Sequence, residues 1–427
     1  MRMVLIIMRT KLANVNENYY HLLLIIALFV RSEPMSSLSL RRWSWIHKWS
    51  SLVCTVFMLL LCLTGLPLIY HHEIGHLLGN DVELPALPPA LAANPPRANV
   101  DEVIQAARAL YPDKMTMYIS QEMDEPAIWN VTLGDHPNDE HYKPIAVDAR
   151  TAKVITEPAF EGGAFMSTMF RLHVDLFAGL PGKLFLGLMG LLLLVALVSG
   201  VVLYAPFMRK LEFGTVRHGR TKRLKWLDLH NLLGIVTLVW ALVVGATGMV
   251  NTWADVLLKY WQATEIADML EPYKGAPPLG RLASMDAAVK LAERAAPGMQ
   301  VGFVAFPGTP FASPRHYGVY MRGNEAFSSR LYKPVLIDAQ TGRITDHRDL
   351  PWYLTALLVS QPLHFGDYGG GWMQLLWALL DVATIIVLGS GLYLWVKRGQ
   401  AEKRHVEAAR RNRDAPEPTL ARTGEVR

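Results

Sequence analysis

The sequence predicts a membrane protein: a four-helix transmembrane bundle arising from an internal duplication, with two small α+β extracytoplasmic domains. Three observations predict it. Four apolar stretches reach the roughly 20 residues a helix needs to span a bilayer; they run near Trp49–Tyr70, Leu184–Phe207, Leu232–Trp253 and Met373–Val396. The chain also matches itself. His47 and Thr64-Gly65 return as His230 and Thr247-Gly248, 183 residues on, and His173 and Ser199-Gly200 return as His364 and Ser390-Gly391, 191 residues on. Between these marks, Tyr142-Lys143-Pro144 recurs as Tyr332-Lys333-Pro334, and Val147-Asp148-Ala149 as Ile337-Asp338-Ala339. Finally, Lys and Arg crowd the short flanks of the apolar stretches, as they do on the cytoplasmic side of membrane proteins.

Residues 1–40 read as an uncertain N-terminal extension. His21–Val30 is apolar but too short to span, and the stretch before it is not a clean signal peptide. Met35 is a possible true start, and a short membrane-surface segment is the alternative. The first span occupies 41–70 and is preceded by Arg41 and Arg42. An outer domain follows over 71–170. An outer His segment and the second span cover 171–208. A basic loop over 209–226 carries Arg209, Lys210, Arg217, Arg220, Lys222, Arg223 and Lys225. The third span covers 227–253, the second outer domain 254–360, and a second outer His segment with the fourth span 361–398. A charged tail, 399–427, closes the chain. Lys397, Arg398, Lys403 and Arg404 follow the last span, so both termini and the basic loop of this multi-pass protein are expected in the cytoplasm.

Composition agrees. Apolar residues make up 51% and charged residues 19% of the 427, and the net charge of +5 is accounted for by the flanks. Membrane lipid is therefore the expected surrounding and nucleic acid is excluded as a partner. The two cysteines, Cys54 and Cys62, both lie in the first span, so no disulfide framework supports the outer domains. They read as small apolar packing residues. Asp381 lies inside the fourth span with no partner visible in the sequence, so it must face the bundle interior or water.

Each outer segment opens with prolines: Pro85, Pro88, Pro89, Pro95 and Pro96 in one, Pro272, Pro277 and Pro278 in the other. Asp101–Leu110 and Asp286–Ala295 follow with helical periodicity, the second with Ser284 as a possible cap. Trp129–Leu133 and Tyr317–Met321 alternate as strands do. A strand–turn–strand closes each segment, with Asp148 or Asp338 at the turn entry and Gly342 inside the second turn. Turn capping is the expected role of both aspartates. His136, His141, His316 and His347 have no counterparts in the other half and read as surface residues. No nucleotide fingerprint, Ser/His/Asp arrangement or zincin motif is present, so no catalytic residue is assigned.

The four matched histidines carry the chemistry. Spans one and three run outward, so His47 and His230 both fall at the cytoplasmic edge. Spans two and four run inward, so His173 and His364 both fall on the outer side. A pseudo-twofold repeat can bring each equivalent pair face to face, and two facing imidazoles in a helix bundle are what an axially bis-ligated haem needs. The pairing rule joins His47 to His230 and His173 to His364. Small residues near them, including Gly179, Gly182, Gly366 and Gly369, would let a flat macrocycle approach the backbone. From His47 to Thr64 is 17 residues, about 25 Å of helix, which places the two sites near opposite faces of the membrane. The plainer reading is four interfacial histidines in the headgroup layer. Bare zinc is disfavoured, because neither pair shows a third or fourth ligand. His71, His72 and His76 cluster at the outer end of span one; contact with substrate or a transient metal ion competes with simple headgroup solvation.

Trp45-Ile46-His47-Lys48-Trp49 with Leu63-Thr64-Gly65, Leu172-His173-Val174-Asp175-Leu176, Leu363-His364-Phe365-Gly366-Asp367-Tyr368-Gly369-Gly370 and Leu376-Trp377-Ala378-Leu379 resemble the PepSY-associated transmembrane helix family. This is a bacterial group of iron-regulated inner-membrane proteins. The resemblance runs from about Arg41 to Arg398. It implies that the outer domains are PepSY-like. It also implies two b-type haems, bound by His47, His230, His173 and His364 as iron ligands. Siderophore-reductase members imply an oxidoreductase that passes electrons to a periplasmic ferric siderophore or other ferric chelate and releases Fe(II). The electron donor would be cytoplasmic or a quinol. Two alternatives stand beside this: a membrane-anchored regulator or peptidase-modulating protein without redox activity, and an iron-chelate transporter.

Overall fold

The computed structural model describes residues 36–414, except 80–81, 123–124, 140, 158–162, 209–213, 218–220, 276–278 and 325–330. The expected N-terminal extension with Met35, parts of the basic loop, Pro277-Pro278 and the end of the charged tail lie outside the described residues. The chain divides into two compact units. One comprises Met1–Val56, Leu192–Ala241 and Val382–Arg427; the other comprises Phe57–Leu191 and Leu242–Asp381.

In chain order the first half holds α1 (Ser37–Ile69), α2 (His71–Leu77), α3 (Pro89–Ala92) and α4 (Val100–Leu110), strands β1 (Met115–Ser120), β2 (Ile128–Gly134), β3 (Lys143–Asp148) and β4 (Val154–Thr156), then α5 (Gly163–Val174) and α6 (Leu180–Met208). The second half holds α7 (Lys222–Val236), α8 (Leu238–Asn251), α9 (Ala254–Trp261), α10 (Ala267–Leu270) and α11 (Met285–Ala295), strands β5 (Met299–Ala305), β6 (His316–Gly323), β7 (Tyr332–Asp338) and β8 (Ile344–His347), then α12 (Trp352–Phe365) and α13 (Gly370–Asp414).

Among the described residues three helices are long and apolar enough to cross a membrane: Ser37–Ile69, Leu180–Tyr204 and Asp367–Gln400. A fourth span results if α7 and α8, bent by 64°, count as one. Large apolar side chains stay exposed along these helices, among them Val56, Leu63, Leu188 and Leu379, as lipid-facing positions do. The chain is a membrane protein. The apolar run Leu232–Trp253 predicts an unbroken third span, and the bend is a departure from it. No proline causes the bend. Thr237 sits at the break, buried, with its hydroxyl donating to the Leu233 carbonyl at 2.9 Å, a back-bond that commonly bends helices.

The segments between the spans pair differently from expectation. They are read from sequence as two separate domains, but their strands form one eight-stranded antiparallel sheet, ordered β4-β3-β2-β1-β5-β6-β7-β8. The joint is β1 against β5, with Tyr118 opposite Ala305, Ile119 opposite Val304 and Ser120 opposite Phe303. Neither β1 nor β5 is flagged by the alternation used to find β2 and β6. Pairing them removes two open sheet edges that would otherwise expose unpaired backbone groups.

One face of the sheet is covered by α4 and α11. Val103 and Ala107 of α4, and Val289 and Ala292 of α11, share a core with Trp129, Val131, Tyr317 and Val319. Each large apolar side chain so buried contributes about 1.5–3 kcal/mol. The other face of the second half packs Leu336, Tyr320 and Ala305 against Trp261, Leu354 and Leu357. The two covering helices cap each other. Asp101 on α4 accepts from the Met285 N–H at 2.7 Å and from the Ser284 hydroxyl at the start of α11. Asp286 on α11 accepts from the Val100 N–H at the start of α4 at 3.3 Å.

The turn aspartates cap as expected. Asp148 accepts from the Arg150 N–H at 2.8 Å, and Asp338 from the Thr341 N–H at 2.7 Å. Burial opposes ionisation of Asp148, but the Arg150 guanidinium and backbone N–H outweigh it and hold the carboxyl below its usual range. His136, His141 and His347 are exposed, but His316, read from sequence as a surface residue, is fully buried. It starts β6 opposite Asp338, on the register position that Ile128 holds opposite Asp148 in the first half. The Tyr273 ring meets it edge-on at 4.6 Å, and Ser313 Oγ lies 2.6 Å from its Nδ1.

Candidate functional site

The structure brings the matched histidines together in two pairs, one within each unit. In the first unit His47 on α1 faces His230 on α7, with ring centres 6.5 Å apart and planes at 73°. In the second unit His173 on α5 faces His364 on α12, with ring centres 6.2 Å apart and planes at 60°. No hydrogen bond joins the two rings of either pair among the described residues.

Each ring is held from behind in the same way. Nδ1 of His47 contacts the Ala196 carbonyl at 2.9 Å and Ser199 Oγ at 3.2 Å. Nδ1 of His230 contacts the Val387 carbonyl at 3.0 Å and Ser390 Oγ at 2.9 Å. His173 meets the Leu61 carbonyl at 3.1 Å and Thr64 Oγ1 at 3.1 Å. His364 meets the Val244 carbonyl at 3.0 Å and Thr247 Oγ1 at 3.4 Å. A carbonyl can only accept, so in all four rings Nδ1 carries the hydrogen and Nε2 carries the lone pair. The hydroxyls donate to their own helices, for example Ser199 to Val195 at 2.7 Å and Thr64 to Leu60 at 2.8 Å. That leaves their oxygens free to accept from the imidazole.

The residue after each hydroxyl is a glycine, and the ring lies where a side chain would begin. A Cβ on Gly200 would stand 3.1 Å from His47 Cε1, on Gly65 3.2 Å from His173 Cε1, on Gly391 3.4 Å from His230 Cε1, and on Gly248 2.8 Å from His364 Cε1. The Ser/Thr-Gly dipeptides thus form four cradles. The sequence shows them as repeats but gives no sign of their role, because each serves a histidine on another helix. The pattern that marks them is that a hydroxyl-glycine step recurs wherever a matched histidine does.

The geometry suits a metal ion ligated on both faces. Two imidazoles bound through Nε2 on opposite sides of one ion place their ring centres about 6 Å apart, from two metal–nitrogen bonds of about 2 Å and about 1 Å to each ring centre. Both pairs match this, and their Nδ1–H···O=C contacts are those that orient metal-binding histidines. The donor sets are two-membered. Among the described residues no group of three or more His, Cys, Asp or Glu is placed to hold a metal ion, whereas structural zinc takes four ligands.

Neighbouring residues fix the backbone around the pairs. Arg217 grips Asp228, two residues before His230, at 2.6 Å and also donates its backbone N–H to that carboxylate at 3.0 Å. After His364, Gly366 ends α12 in a left-handed conformation with Trp377 where a side chain would stand, and the Trp377 indole donates to the His364 carbonyl at 3.2 Å. After His173, Leu176 and Phe177 both adopt positive φ, and Asp175 secures the turn by accepting from the Phe177 N–H at 2.8 Å. His71, His72 and His76 lie on short α2; the first two ring centres are 4.2 Å apart with planes tilted by 34°, and His72 and His76 are exposed.

The family described as PepSY-associated TM region matches residues 44–398, and the chain belongs to it. It is also similar to the uncharacterised protein PA4219 of Pseudomonas aeruginosa, at 27% identity over 252 residues, or 55% of this chain. The match spans 64% of that relative's length.

Proposed function

We propose that the protein is a di-haem inner-membrane reductase that carries electrons across the membrane to a periplasmic ferric siderophore or other ferric chelate, releasing Fe(II) for uptake. The observation that carries this reading is the pair of facing imidazoles, found twice, with every Nδ1 tied to a carbonyl. In it, His47 and His230 hold one haem b, and His173 and His364 hold the other. A bis-imidazole haem supplies one-electron chemistry at its iron. The cradle carbonyls fix each tautomer and raise the basicity of Nε2. The glycines leave room for the ring to seat against the helix. Reduction weakens the grip of hard oxygen ligands on iron, so the chain needs no acid–base residue for this reaction. The donor is a quinol or a cytoplasmic carrier.

The same reading makes the chain a duplicated four-span bundle with both termini in the cytoplasm. Its two PepSY-like halves, 71–170 and 254–360, then share the outer sheet, and the remaining segments take the boundaries expected from sequence. The absorption spectrum of protein produced with ample haem tests it. A Soret band and dithionite-sensitive α band are expected, with two haems per chain, and their absence would sink the reading.

A further inference from the structure

The two halves differ at one point beside the second histidine pair. On α1, Cys62 follows the Leu61 carbonyl that holds His173; on α8, Gly245 follows the Val244 carbonyl that holds His364. What meets these two residues is unlike. Gly245 is approached by Gly190 of α6, where a Cβ would lie 3.7 Å from the Gly245 carbonyl. Cys62 is approached by Asp381 of α13. Asp381 stands 191 residues after Gly190 and Gly245 stands 183 after Cys62, so these are equivalent contacts by the offsets that relate the histidines. One contact is closed by two glycines, and its equivalent is filled by a carboxyl and a thiol.

The carboxyl is 5% exposed, and its Oδ2 has no hydrogen-bond partner among the described residues. The Cys62 thiol of α1 meets it. A buried carboxyl within a span is costly and marks a functional site by default. Packing does not require it, since the repeat-related contact is made with glycines alone.

We propose that Asp381 is a proton-binding site coupled to the electron held by the His173–His364 pair. This rests on the haem reading above. A ferric bis-imidazole core carries one more positive charge than a ferrous one, and that charge offsets an Asp381 carboxylate in a low dielectric. When one electron arrives from the donor, the offset is lost and the carboxylate takes one proton from the aqueous phase, forming an O–H bond on Oδ2. When the electron leaves for the ferric chelate, the proton leaves too. Charge in the span stays balanced. The Cys62 thiol orients the carboxyl and undergoes no redox change.

Spectroelectrochemical titration of the haem-loaded full chain across a pH series tests this. In the wild type, the half-reduction potential of one haem is expected to fall as pH rises, and redox-difference infrared spectra should show a protonated-carboxyl band appearing on reduction. Asp381→Asn should flatten that pH dependence and remove the band, with the other haem unchanged. If Asp381→Asn does not fold, the double variant Cys62→Gly/Asp381→Gly recreates the Gly245–Gly190 contact and serves instead. An unchanged pH slope and an unchanged band in either variant would overturn the proposal. A preparation that binds no haem fails the reading beneath it.

Discussion

The histidine cradles occur twice in each half and a run of four strands once, and the two keep different things. All four cradles keep the same chemistry: an imidazole Nδ1, a carbonyl, a Ser or Thr oxygen and a glycine. The sheet keeps strand order and burial but lets residue type drift. Ile128 becomes His316 at equivalent register, and both remain buried. A packed sheet asks for volume and for capped backbone ends, which many residues supply. A ligand cradle asks for a lone pair aimed in one direction, which few supply. The constancy of the cradles therefore argues for coordination rather than packing.

The strongest way to break this comparison is to remove a ligand. On the haem reading, His364→Ala or His173→Ala is expected to take away one of the two proposed haems and leave the other, along with the fold of the sheet. Haem stoichiometry by the pyridine haemochrome method, run beside circular dichroism, measures both. Loss of neither haem refutes the pairing. Loss of both would show that the two pairs are not independent.

Next comes the spacing behind the rings. Gly248→Ala would place a methyl 2.8 Å from the His364 ring, and Gly391→Ala 3.4 Å from the His230 ring. The first is an overpacking that costs about 1–3 kcal/mol or a displaced ring; the second is near ordinary contact. Gly248→Ala should lower haem occupancy several-fold or alter the low-spin ferric EPR signal, while Gly391→Ala should leave both close to wild type. Equal effects would mean that the glycines serve helix packing generally rather than the rings.

On the sheet side, the reciprocal caps offer the converse test. Asp101→Ala and Asp286→Ala each remove a carboxylate that accepts backbone N–H groups of the facing helix. Each should cost about 1 kcal/mol and leave haem content untouched. Thermal unfolding followed by tryptophan fluorescence reads the loss. A fall in haem content instead would tie the sheet to the sites.

Much of this was legible in the sequence, and the illegible parts share a cause. The apolar stretches, the turn aspartates and the matched histidines announce themselves locally or by repetition. The β1–β5 joint does not, because Ile119 and Val304 meet across 185 residues with no local signal for the pairing. Thr64-Gly65 and Ser199-Gly200 are visible as repeats, but their meaning lies in rings borne by other helices. The bend at Thr237 depends on one hydroxyl choosing a backbone acceptor. The burial of His316 depends on the segment that covers the second face of the sheet.

His316 gives the smallest expected effect and the finest test of drift in the sheet. Burial lowers its pKa from the ordinary 6.5, with the Asp338 carboxylate pulling upward and Arg315 downward. A base whose folded pKa is depressed is held neutral by the fold, so its contribution to stability is complete above the unfolded value. It is lost as pH falls from about 6.5 toward the folded pKa, because the unfolded chain binds the proton first. The thermal midpoint should therefore decline in mildly acidic buffer, before the ion-paired carboxylates Asp148 and Asp338 begin to protonate. His316→Ile, which restores the residue type that Ile128 supplies in the other half, should flatten that early decline. It should not alter the steeper loss at lower pH, and a decline of unchanged slope in the variant would place the sensitivity elsewhere.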